Sequence, residues 1–234
     1  MRLPIAILAG GLGKRLDKKT TNIPKALLDI YGKPFISRQL NYLKDQGFNK
    51  VVICVGHYGE KIKNLVGNGS NYNLNVAYSD DGQQLLGTGG SLKKACKILD
   101  KNFFVLYGDS FLPVNFSIIE KAFLNQEKPA LMTVLKNSNR WDKSNVYFEN
   151  ENVIYNKKNP EKDMNYIDYG LSVVNNSIFD NFIENENFDI AEIFENLSKN
   201  NLLAGYEVNE RFYEIGSSSG LNDTIKFFKK IEKQ

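Results

Sequence analysis

The sequence predicts an α/β protein with a Rossmann-like three-layer fold, in which helices cover both faces of a mixed, mostly parallel sheet. Short, nearly continuous apolar runs recur along the chain, and such runs are typical of strands buried on both faces. Segments with a helical spacing of apolar residues separate these runs, so we expect successive strands to be joined by right-handed crossovers. The 234 residues suit one domain of this kind, spanning 1–234.

The first half of the chain, residues 1–112, alternates between strands and helices. Apolar runs predict strands at residues 3–9, 50–55, 74–79 and 102–107. Helices are predicted at 34–46, which Gly47 ends, at 58–66, which Gly67 ends, and directly after 87–90. Ligands of such sheets bind beyond the carboxyl ends of the strands, so we expect a site at that edge.

The second half, residues 113–234, is less regular and is expected to include a smaller β-hairpin part. A helix is predicted at 115–126, strands at 130–136 and 166–171, and a hairpin with strands at 145–149 and 153–156. The closing helix at 217–230 has Ser217 or Ser218 as its N-cap and lysines in its last turns.

Composition argues against several classes of protein. The 30 Lys and Arg residues nearly balance the 27 Asp and Glu residues, for a formal net charge of +3, and the two signs are interleaved. We therefore expect no nucleic-acid groove. No apolar run approaches the roughly 20 residues of a membrane-spanning helix. Cys54 and Cys96 lie in predicted strand and helix positions, which is typical of reduced core cysteines. These features predict a cytoplasmic protein without membrane contact.

The segment after the first strand is predicted to bind a polyphosphate. Gly10, Gly11 and Gly13 remove side chains where the backbone must turn and where a bulky ligand can approach its N–H groups. Arg15 follows shortly afterwards, and Lys25 comes further along the chain. A glycine loop at a strand end, followed by fixed cations, suits phosphate groups.

Other interpretations of this loop compete. A dinucleotide-binding turn needs a third glycine, where Leu16 stands, and a carboxylate at the end of the second strand, which runs into Gly56 and His57 instead. A P-loop needs Ser or Thr directly after Gly-Lys, but Arg15 follows Lys14. An ordinary tight turn with solvated charges is also compatible with these residues.

Three motifs near the start of the chain extend beyond the glycine loop: AGGLGKRL at residues 9–16, IPKAL at 23–27 and GKPF at 32–35. Together they closely resemble the opening of the sugar-1-phosphate nucleotidyltransferases, the NDP-sugar pyrophosphorylases. The resemblance implies a GT-A-like fold and the joining of a nucleoside triphosphate to a sugar 1-phosphate, with release of pyrophosphate. It also implies that the loop from Ala9 onward wraps the triphosphate, and that Arg15 and Lys25 are catalytic residues that contact phosphates.

The segment at residues 85–90, LLGTGG, resembles the family's LGTGG segment. The resemblance implies that Gly87 and Thr88 take part in reading the nucleobase. Gln83 or Gln84 could address a base edge, because an amide both donates and accepts hydrogen bonds. On the residues alone, a flexible turn with Thr88 as a helix N-cap is equally compatible. The identity of the nucleobase stays open.

Two carboxylates are predicted to hold a metal ion. Asp109 follows an apolar strand and therefore lies at the ligand edge of the sheet, where a hard cation bridging phosphates would be held, although it could also cap a turn. The GD pair formed with Gly108 resembles the family's magnesium-binding aspartate. RFYEIGS at residues 211–217 resembles the family's Trp-x-Asp-Ile-Gly-Thr, so the resemblance implies that Glu214 is a second Mg²⁺ ligand.

Acceptor-binding residues are predicted in the second half. The segment at residues 156–160, NKKNP, resembles the family's Glu-Lys-Pro, which implies that Lys157, or else Lys158, grips the acceptor phosphate. Residues 166–171 resemble the family's Asn-x-Gly strand, which implies that Asp168 and Gly170 face the sugar. Asn145, at the start of the hairpin, is assigned to the same part. Asp168 replaces an amide with a carboxylate that only accepts hydrogen bonds, which suits an acceptor with an additional hydroxyl or amino group.

The sequence therefore predicts a magnesium-dependent sugar-1-phosphate nucleotidyltransferase for cell-envelope or glycan precursors. Residues 1–112 would form its nucleotide-binding half, and residues 113–234 its acceptor-binding half and closing helix. Its partners would be a nucleoside triphosphate and a sugar 1-phosphate, and the protein would be a monomer or a homo-oligomer. Two alternatives are a cytidylyltransferase for a non-sugar phosphate such as phosphocholine, and a non-catalytic nucleotide-binding regulatory subunit on the same fold.

Overall fold

The structure is a computed structural model that describes residues 2–11, 23–82 and 84–233. The strands are β1 (Ile5–Leu8), β2 (Asp29–Ile30), β3 (Lys33–Pro34), β4 (Lys50–Val55), β5 (Asn75–Asp80), β6 (Asn102–Tyr107), β7 (Ser110–Phe111), β8 (Ala130–Lys136), β9 (Val146–Glu149), β10 (Asn152–Tyr155), β11 (Tyr166–Asn175), β12 (Leu203–Val208) and β13 (Tyr213–Glu214). The α-helices are α1 (Phe35–Asp45), α2 (Gly59–Val66), α3 (Gly87–Ala95), α4 (Phe116–Leu124), α5 (Ile190–Lys199) and α6 (Ser218–Ile231).

The central sheet is mixed, as predicted, and has the strand order β5-β4-β1-β6-β11-β8-β12-β10-β9. Its first four strands are parallel, with Ile5 of β1 opposite Val51 of β4 and Phe104 of β6. Strand β11 runs antiparallel to both β6 and β8, and β12 is parallel to β8. The predicted hairpin, β9 and β10, forms the far edge. The carboxyl ends of β5, β4, β1 and β6 therefore meet at one edge of the sheet.

Helices cover both faces of the sheet, which confirms the predicted three layers. Helices α1, α2 and α4 pack on one face, and α3 and α5 pack on the other. In β1, Ile5 and Ile7 belong to the first apolar cluster and Ala6 to the second, and all three are completely buried. The continuous apolar run thus marks a strand that is covered on both sides. A third cluster packs α6 against β7 through Phe228 and Phe111.

Helix α5 and strand β12 lie outside the elements that we predicted from the sequence. The helix has a clear signal, since Asp189 is its N-cap and its buried apolar residues recur at helical spacing. In strand β12, Gly205 and Glu207 interrupt the apolar pattern, and the strand is recognised mainly by its parallel pairing with β8, which begins with Leu203 opposite Ala130. Both elements belong to the second half of the chain, where polar loops interrupt the sequence pattern.

The glycine-rich segment at residues 87–90 is the first turn of α3, so our expectation of a loop before the helix is wrong. Gly87 has a φ of +70°, and a Cβ there would lie 2.4 Å from the carbonyl oxygen of Phe188. The N–H of Gly89 donates a hydrogen bond to that same oxygen. The glycines therefore allow the segment before α5 to lie directly on the start of α3.

Two further expectations concern the cysteines and the membrane. Cys54 and Cys96 are both unpaired, and Cys54 is buried in β4, as expected for reduced core residues. None of the helices in the described ranges has the length and apolar character needed to cross a lipid bilayer.

Candidate active site

A cleft of about 510 Å³ lies beyond the carboxyl ends of β1, β5 and β6. This is the edge at which open α/β sheets bind their ligands. Predicted site residues from both halves of the chain line it: Ala9, Gly10, Gly11, Lys25, Gly87, Thr88, Asp109 and Lys157. Gly13, Arg15 and Gln83 lie outside the described residues, so their roles stay predictions.

Two carboxylates and a lysine converge at one end of the cleft. Asp109 follows β6, and the Nζ of Lys25 lies 3.3 Å from its Oδ2. Glu214 lies on β13, opposite Ser110 of β7, which places it beside Asp109. A Cβ atom placed on Gly216 would lie 2.9 Å from Glu214 Oε2 and 3.1 Å from Asp109 Oδ2. The same point is 3.3 Å from Lys25 Nζ, so the three charged groups surround one small volume.

The carboxylate of Glu214 is oriented by the start of α6. Its Oε2 accepts hydrogen bonds from the backbone N–H groups of Gly216 and Ser217, and its Oε1 accepts one from the hydroxyl of Ser217. Ser217 is also the N-cap of α6, as predicted, because its hydroxyl accepts a hydrogen bond from Gly220 N–H. Backbone donors and the helix dipole both stabilise negative charge at this position, which lowers the cost of burying part of the carboxylate.

The donor groups at this end of the cleft suit a hard divalent cation. The described part of the chain contains no group of three or more His, Cys, Asp or Glu side chains that could hold a metal ion. A metal here would therefore rest on the carboxylates of Asp109 and Glu214, with its other ligands from water and substrate phosphates. Mg²⁺ is commonly bound in this way, through one or two carboxylates and several non-protein oxygens.

Gln39 holds the turn that carries Asp109. Its Nε2 donates hydrogen bonds to the carbonyl oxygens of Tyr107, at 3.2 Å, and Ser110, at 2.8 Å, which lie on either side of the turn. The side chain is almost completely buried in α1. This residue was not among the site residues predicted from the sequence. Its signal is a polar amide on the buried face of a helix, between Ile36 and Leu43.

Lys157 lies at the opposite side of the cleft and is paired with Asp189. The Lys157 Nζ donates a hydrogen bond to Asp189 Oδ2 at 2.6 Å, and Thr88 Oγ1 donates one to Asp189 Oδ1 at 2.7 Å. Burial alone would raise the pKa of Asp189, but the hydrogen bonds from Lys157 and Thr88 outweigh burial and hold this pKa below its ordinary value. Lys158 instead contacts Glu192, away from the cleft, with 3.3 Å between Nζ and Oε1.

Asp189 was not among the predicted site residues, although it connects two of them. Its only sequence signal is an aspartate directly before the apolar spacing of α5, which indicates a helix cap and no more. In the structure the same carboxylate also links Thr88, at the start of α3, to Lys157. It therefore couples the segment assigned to the nucleobase with the lysine assigned to the acceptor phosphate.

Asp168, Gly170 and Asn145 lie together beside the cleft. The backbone N–H of Asp168 donates to Asn145 Oδ1, and Gly170 N–H donates to Asp168 Oδ1, both at 2.9 Å. The pairing of β11 with β8 is irregular between Asp168 and Ser172, which gives this strand a local bulge. Burial raises the pKa of Asp168 to about 6, although the Gly170 N–H and the charge of Lys157 oppose the change.

The other end of the cleft lies near the end of β5. It is lined by Asp81, Leu85 and Ser91, together with the glycine segment of α3. Asp81 Oδ2 accepts a hydrogen bond from Ser91 Oγ at 2.6 Å. Asp81 was not predicted from the sequence. Gln84, one of the two glutamines considered for the base, is exposed and does not line the cleft.

Comparison with known proteins shows which family this chain matches. A family model described as Nucleotidyl transferase matches residues 5–230. The D-glycero-alpha-D-manno-heptose 1-phosphate guanylyltransferase of Campylobacter jejuni is 31% identical over 212 residues, which cover 90% of this chain and 93% of the relative. The N-acetylmuramate alpha-1-phosphate uridylyltransferase of Neisseria meningitidis is 38% identical over 112 residues, which cover 47% of this chain and 48% of the relative.

A solved structure agrees with the fold. The crystal structure of HddC from Yersinia pseudotuberculosis complexed with GMP-PN matches with a TM-score of 0.80 at 23% identity. The match covers 97% of this chain and 100% of the other. The predicted architecture is thus found in a solved protein of the same length range.

The raised pKa of Asp168 predicts a measurable pH dependence of stability. In the unfolded chain this carboxyl should titrate near its ordinary value of about 4, so the folded protein holds the proton more tightly between about pH 4 and pH 6. The contribution of Asp168 to the free energy of unfolding of the wild type should therefore fall as the pH rises through this window. Asp168→Asn should remove that fall, so its stability relative to the wild type should rise by roughly 1–2 kcal/mol between pH 4 and pH 7.

Urea unfolding at a series of pH values measures this difference. Asp189→Asn is the matched control, because a lowered pKa contributes stability that is lost as the pH falls below the ordinary range. The free energy of unfolding of Asp189→Asn relative to the wild type should therefore fall, not rise, as the pH increases. A difference between Asp168→Asn and the wild type that does not change with pH would contradict the assignment.

Proposed function

The chain belongs to the nucleotidyl transferase family, and from that membership we propose how it acts as a sugar-1-phosphate nucleotidyltransferase. It transfers a nucleoside monophosphate from a nucleoside triphosphate to a sugar 1-phosphate, giving an NDP-sugar and pyrophosphate. The observation that carries the site assignment is the convergence of Asp109, Glu214 and Lys25 at one end of a cleft that Lys157 lines on its other side.

Charge is the main obstacle to this reaction. Two anionic phosphates must approach each other, and negative charge develops on the departing pyrophosphate. The second pKa of a phosphate monoester is near 6, so the acceptor oxygen is already a competent nucleophile at neutral pH. The protein therefore has to position and neutralise phosphates, and it needs no general base.

The lysines have separate parts in this scheme. Lys25 lies 3.3 Å from Asp109 Oδ2, at the charged end, and we assign it to the phosphates of the nucleotide. The hydrogen bond to Asp189 holds the ammonium group of Lys157 at the opposite side of the cleft. Because an ammonium has three donors, Lys157 can retain Asp189 and still bind the acceptor phosphate. Lys157 then orients the acceptor for in-line attack on the α-phosphate.

The family uses a divalent metal ion, and we propose Mg²⁺ held by Asp109 and Glu214. Mg²⁺ bound there would neutralise charge on phosphate oxygens of both substrates. The N–H groups at the start of α6 hold Glu214 in place, and Gln39 holds the turn of Asp109. Both carboxylates are therefore positioned before substrates bind, which keeps reorganisation during the reaction small.

The nucleotide and acceptor sides are assigned to different parts of the chain. We propose that residues 1–112 bind the nucleotide and that residues 113–234 bind the acceptor. Glu214 belongs to the second part of the chain but contributes a ligand to the metal ion. Asp168 and Asn145 lie on the acceptor side, near Lys157. The NDP-sugar would be consumed by glycosyl transfer to glycans or cell-envelope material, and we place the reaction in the cytoplasm.

The names of the relatives leave the base open, because one transfers a guanylyl group and the other a uridylyl group. Both names specify a sugar 1-phosphate as acceptor. The acceptor class is therefore better supported than the base.

Pyrophosphate release tests the proposed function. We expect the purified chain with Mg²⁺ to release pyrophosphate from at least one nucleoside triphosphate when a panel of sugar 1-phosphates is supplied. Asp109→Asn should lower kcat by about 10²–10³-fold or more, because the charge at the metal position is lost. Asp100→Asn is the matched control, since Asp100 pairs with Lys50 on the surface. Near-full activity of Asp109→Asn, or turnover only with a non-sugar phosphate such as phosphocholine, would contradict the proposal.

Two adjacent lysines allow a test of the acceptor assignment. Lys157→Met should lower kcat/KM for the sugar 1-phosphate by about 10- to 100-fold, because a charge-assisted hydrogen bond to its phosphate is lost. Lys158→Met removes the same charge one residue away, where the side chain contacts Glu192, and should change that value by no more than about twofold. Steady-state kinetics with varied acceptor measures both variants. Equal losses in the two variants would refute the distinction.

A further inference from the structure

We propose that Asp81 selects guanine as the base of the donor nucleotide, so that this chain uses GTP. The inference rests on the proposed function, because it assigns the base end of the same cleft. It depends on the position of Asp81, on the hydrogen bonds that its carboxylate makes, and on the donor groups that each nucleobase presents.

Asp81 lies at the end of the cleft away from the metal position. It directly follows β5, whereas Asp109 follows β6 after one further residue, and β4 and β1 lie between these two strands. Three strand intervals of about 4.8 Å separate the two strands by roughly 14 Å. A nucleotide with its phosphates at Asp109 and Lys25 can therefore extend along the strand ends toward Asp81.

The carboxylate of Asp81 is only half satisfied. Its Oδ2 accepts hydrogen bonds from Ser91 Oγ at 2.6 Å and from Leu86 N–H at 3.4 Å. Its Oδ1 is buried and has no hydrogen-bond partner among residues 2–11, 23–82 and 84–233. The residue as a whole is only 9% exposed, yet it lines the cleft. Burying a carboxylate oxygen without a hydrogen-bond donor costs free energy. A ligand that donates a hydrogen bond to this oxygen therefore gains affinity.

The hydrogen bonds that Asp81 makes within the protein use only one of its two carboxylate oxygens. The bonds to Ser91 and Leu86 tie the end of β5 to the start of α3, and they use Oδ2 alone. A serine or asparagine could provide a similar tie without leaving a buried anionic oxygen. Burial raises the pKa of Asp81, as expected for a carboxylate that lacks a full set of donors. The second oxygen thus has no partner among the described residues, and we assign it to the ligand.

Guanine is the base whose edge matches an acceptor-only group. It presents its ring N1–H and its exocyclic amino group side by side, so two donors can point at one carboxylate. Uracil and thymine present a single N–H between two carbonyl oxygens, which a carboxylate repels. Adenine and cytosine present an amino group next to a ring nitrogen that accepts. Because Asp81 can only accept, guanine gains most from the contact.

The surroundings of Asp81 suit a planar base. Leu8 and Leu85 line the cleft, and both are apolar. A Cβ on Gly56 would lie 3.1 Å from Leu85 Cδ2, so Leu85 packs against the end of β4 and forms a wall on that side. Apolar walls with a few convergent polar groups are typical of small-molecule sites.

The test compares GTP with ITP, which lacks only the exocyclic amino group of guanine. For the wild type we expect kcat/KM with GTP to exceed that with ITP by about 5- to 150-fold, the range of a good base contact. UTP should be used less well than either. Asp81→Asn should bring the ratio of GTP to ITP to within about threefold, because an amide presents a donor toward the guanine edge. The wild-type comparison alone needs no variant to fold.

Asp80→Asn is the matched control for this measurement. Asp80 is the neighbouring residue, but its carboxylate pairs with Lys63 at 2.7 Å instead of lining the cleft. Its ratio of GTP to ITP should stay at the wild-type value. A purely structural role of Asp81 would lower activity with GTP and ITP equally and leave their ratio unchanged, which would overturn the inference.

Other outcomes separate this inference from the proposed function. Efficient pyrophosphate release from UTP but not from GTP would overturn the choice of guanine and leave the nucleotidyltransferase assignment standing. Absence of turnover with every nucleoside triphosphate would overturn the proposed function. Calorimetric binding of GTP and ITP in the presence of Mg²⁺ then decides the role of Asp81 separately, and equal affinities for the two nucleotides would overturn it.

Discussion

The arrangement on which the rest of this molecule depends is the close approach of two carboxylates, Asp109 and Glu214, beside one lysine. Like charges at such short range repel each other, so the fold must stabilise them when no substrate is present. Lys25 supplies a positive charge 3.3 Å from Asp109, and the first N–H groups of α6 bond to Glu214. The short pairing of β7 with β13 brings the two carboxylates together from opposite halves of the chain. The closing helix is therefore part of the charged end of the cleft as well as a cover for the core.

A second set of contacts connects the segments that we propose for the two substrates. Asp189 caps α5 and at the same time bonds to Thr88 and Lys157. The close packing of α3 against the segment before α5, which requires glycine at Gly87, holds these groups within reach of one another. The proposed nucleotide side and the proposed acceptor side are thus supported by one carboxylate. A substitution on either side that moves Asp189 would therefore also move the group that Asp189 contacts on the other side.

The sequence predicted those parts of the structure that depend on local pattern. The continuous apolar run at Ile5 to Leu8 marks a strand buried on both faces, and the apolar spacing after Pro34 marks α1. Gln39 and Asp189 were missed because their importance arises from partners elsewhere in the chain, and Asp81 was missed because its position beside the cleft arises from the fold. Gln39 meets the backbone of Tyr107 and Ser110 across 68 and 71 residues, and Thr88 meets Asp189 across 101. No local pattern distinguishes such residues from an ordinary polar side chain or helix cap.

We propose that Asp109 and Glu214 hold one divalent ion together. Paramagnetic broadening by Mn²⁺ tests it most directly, with the protein labelled with ¹³C at its Asp and Glu carboxyl carbons and a non-hydrolysable nucleoside triphosphate present. At substoichiometric Mn²⁺, the carboxyl signals of Asp109 and Glu214 should broaden together, while that of the surface residue Asp100 stays sharp. Broadening of only one of the two signals, or of neither while other carboxyl signals broaden, would exclude an ion shared by Asp109 and Glu214.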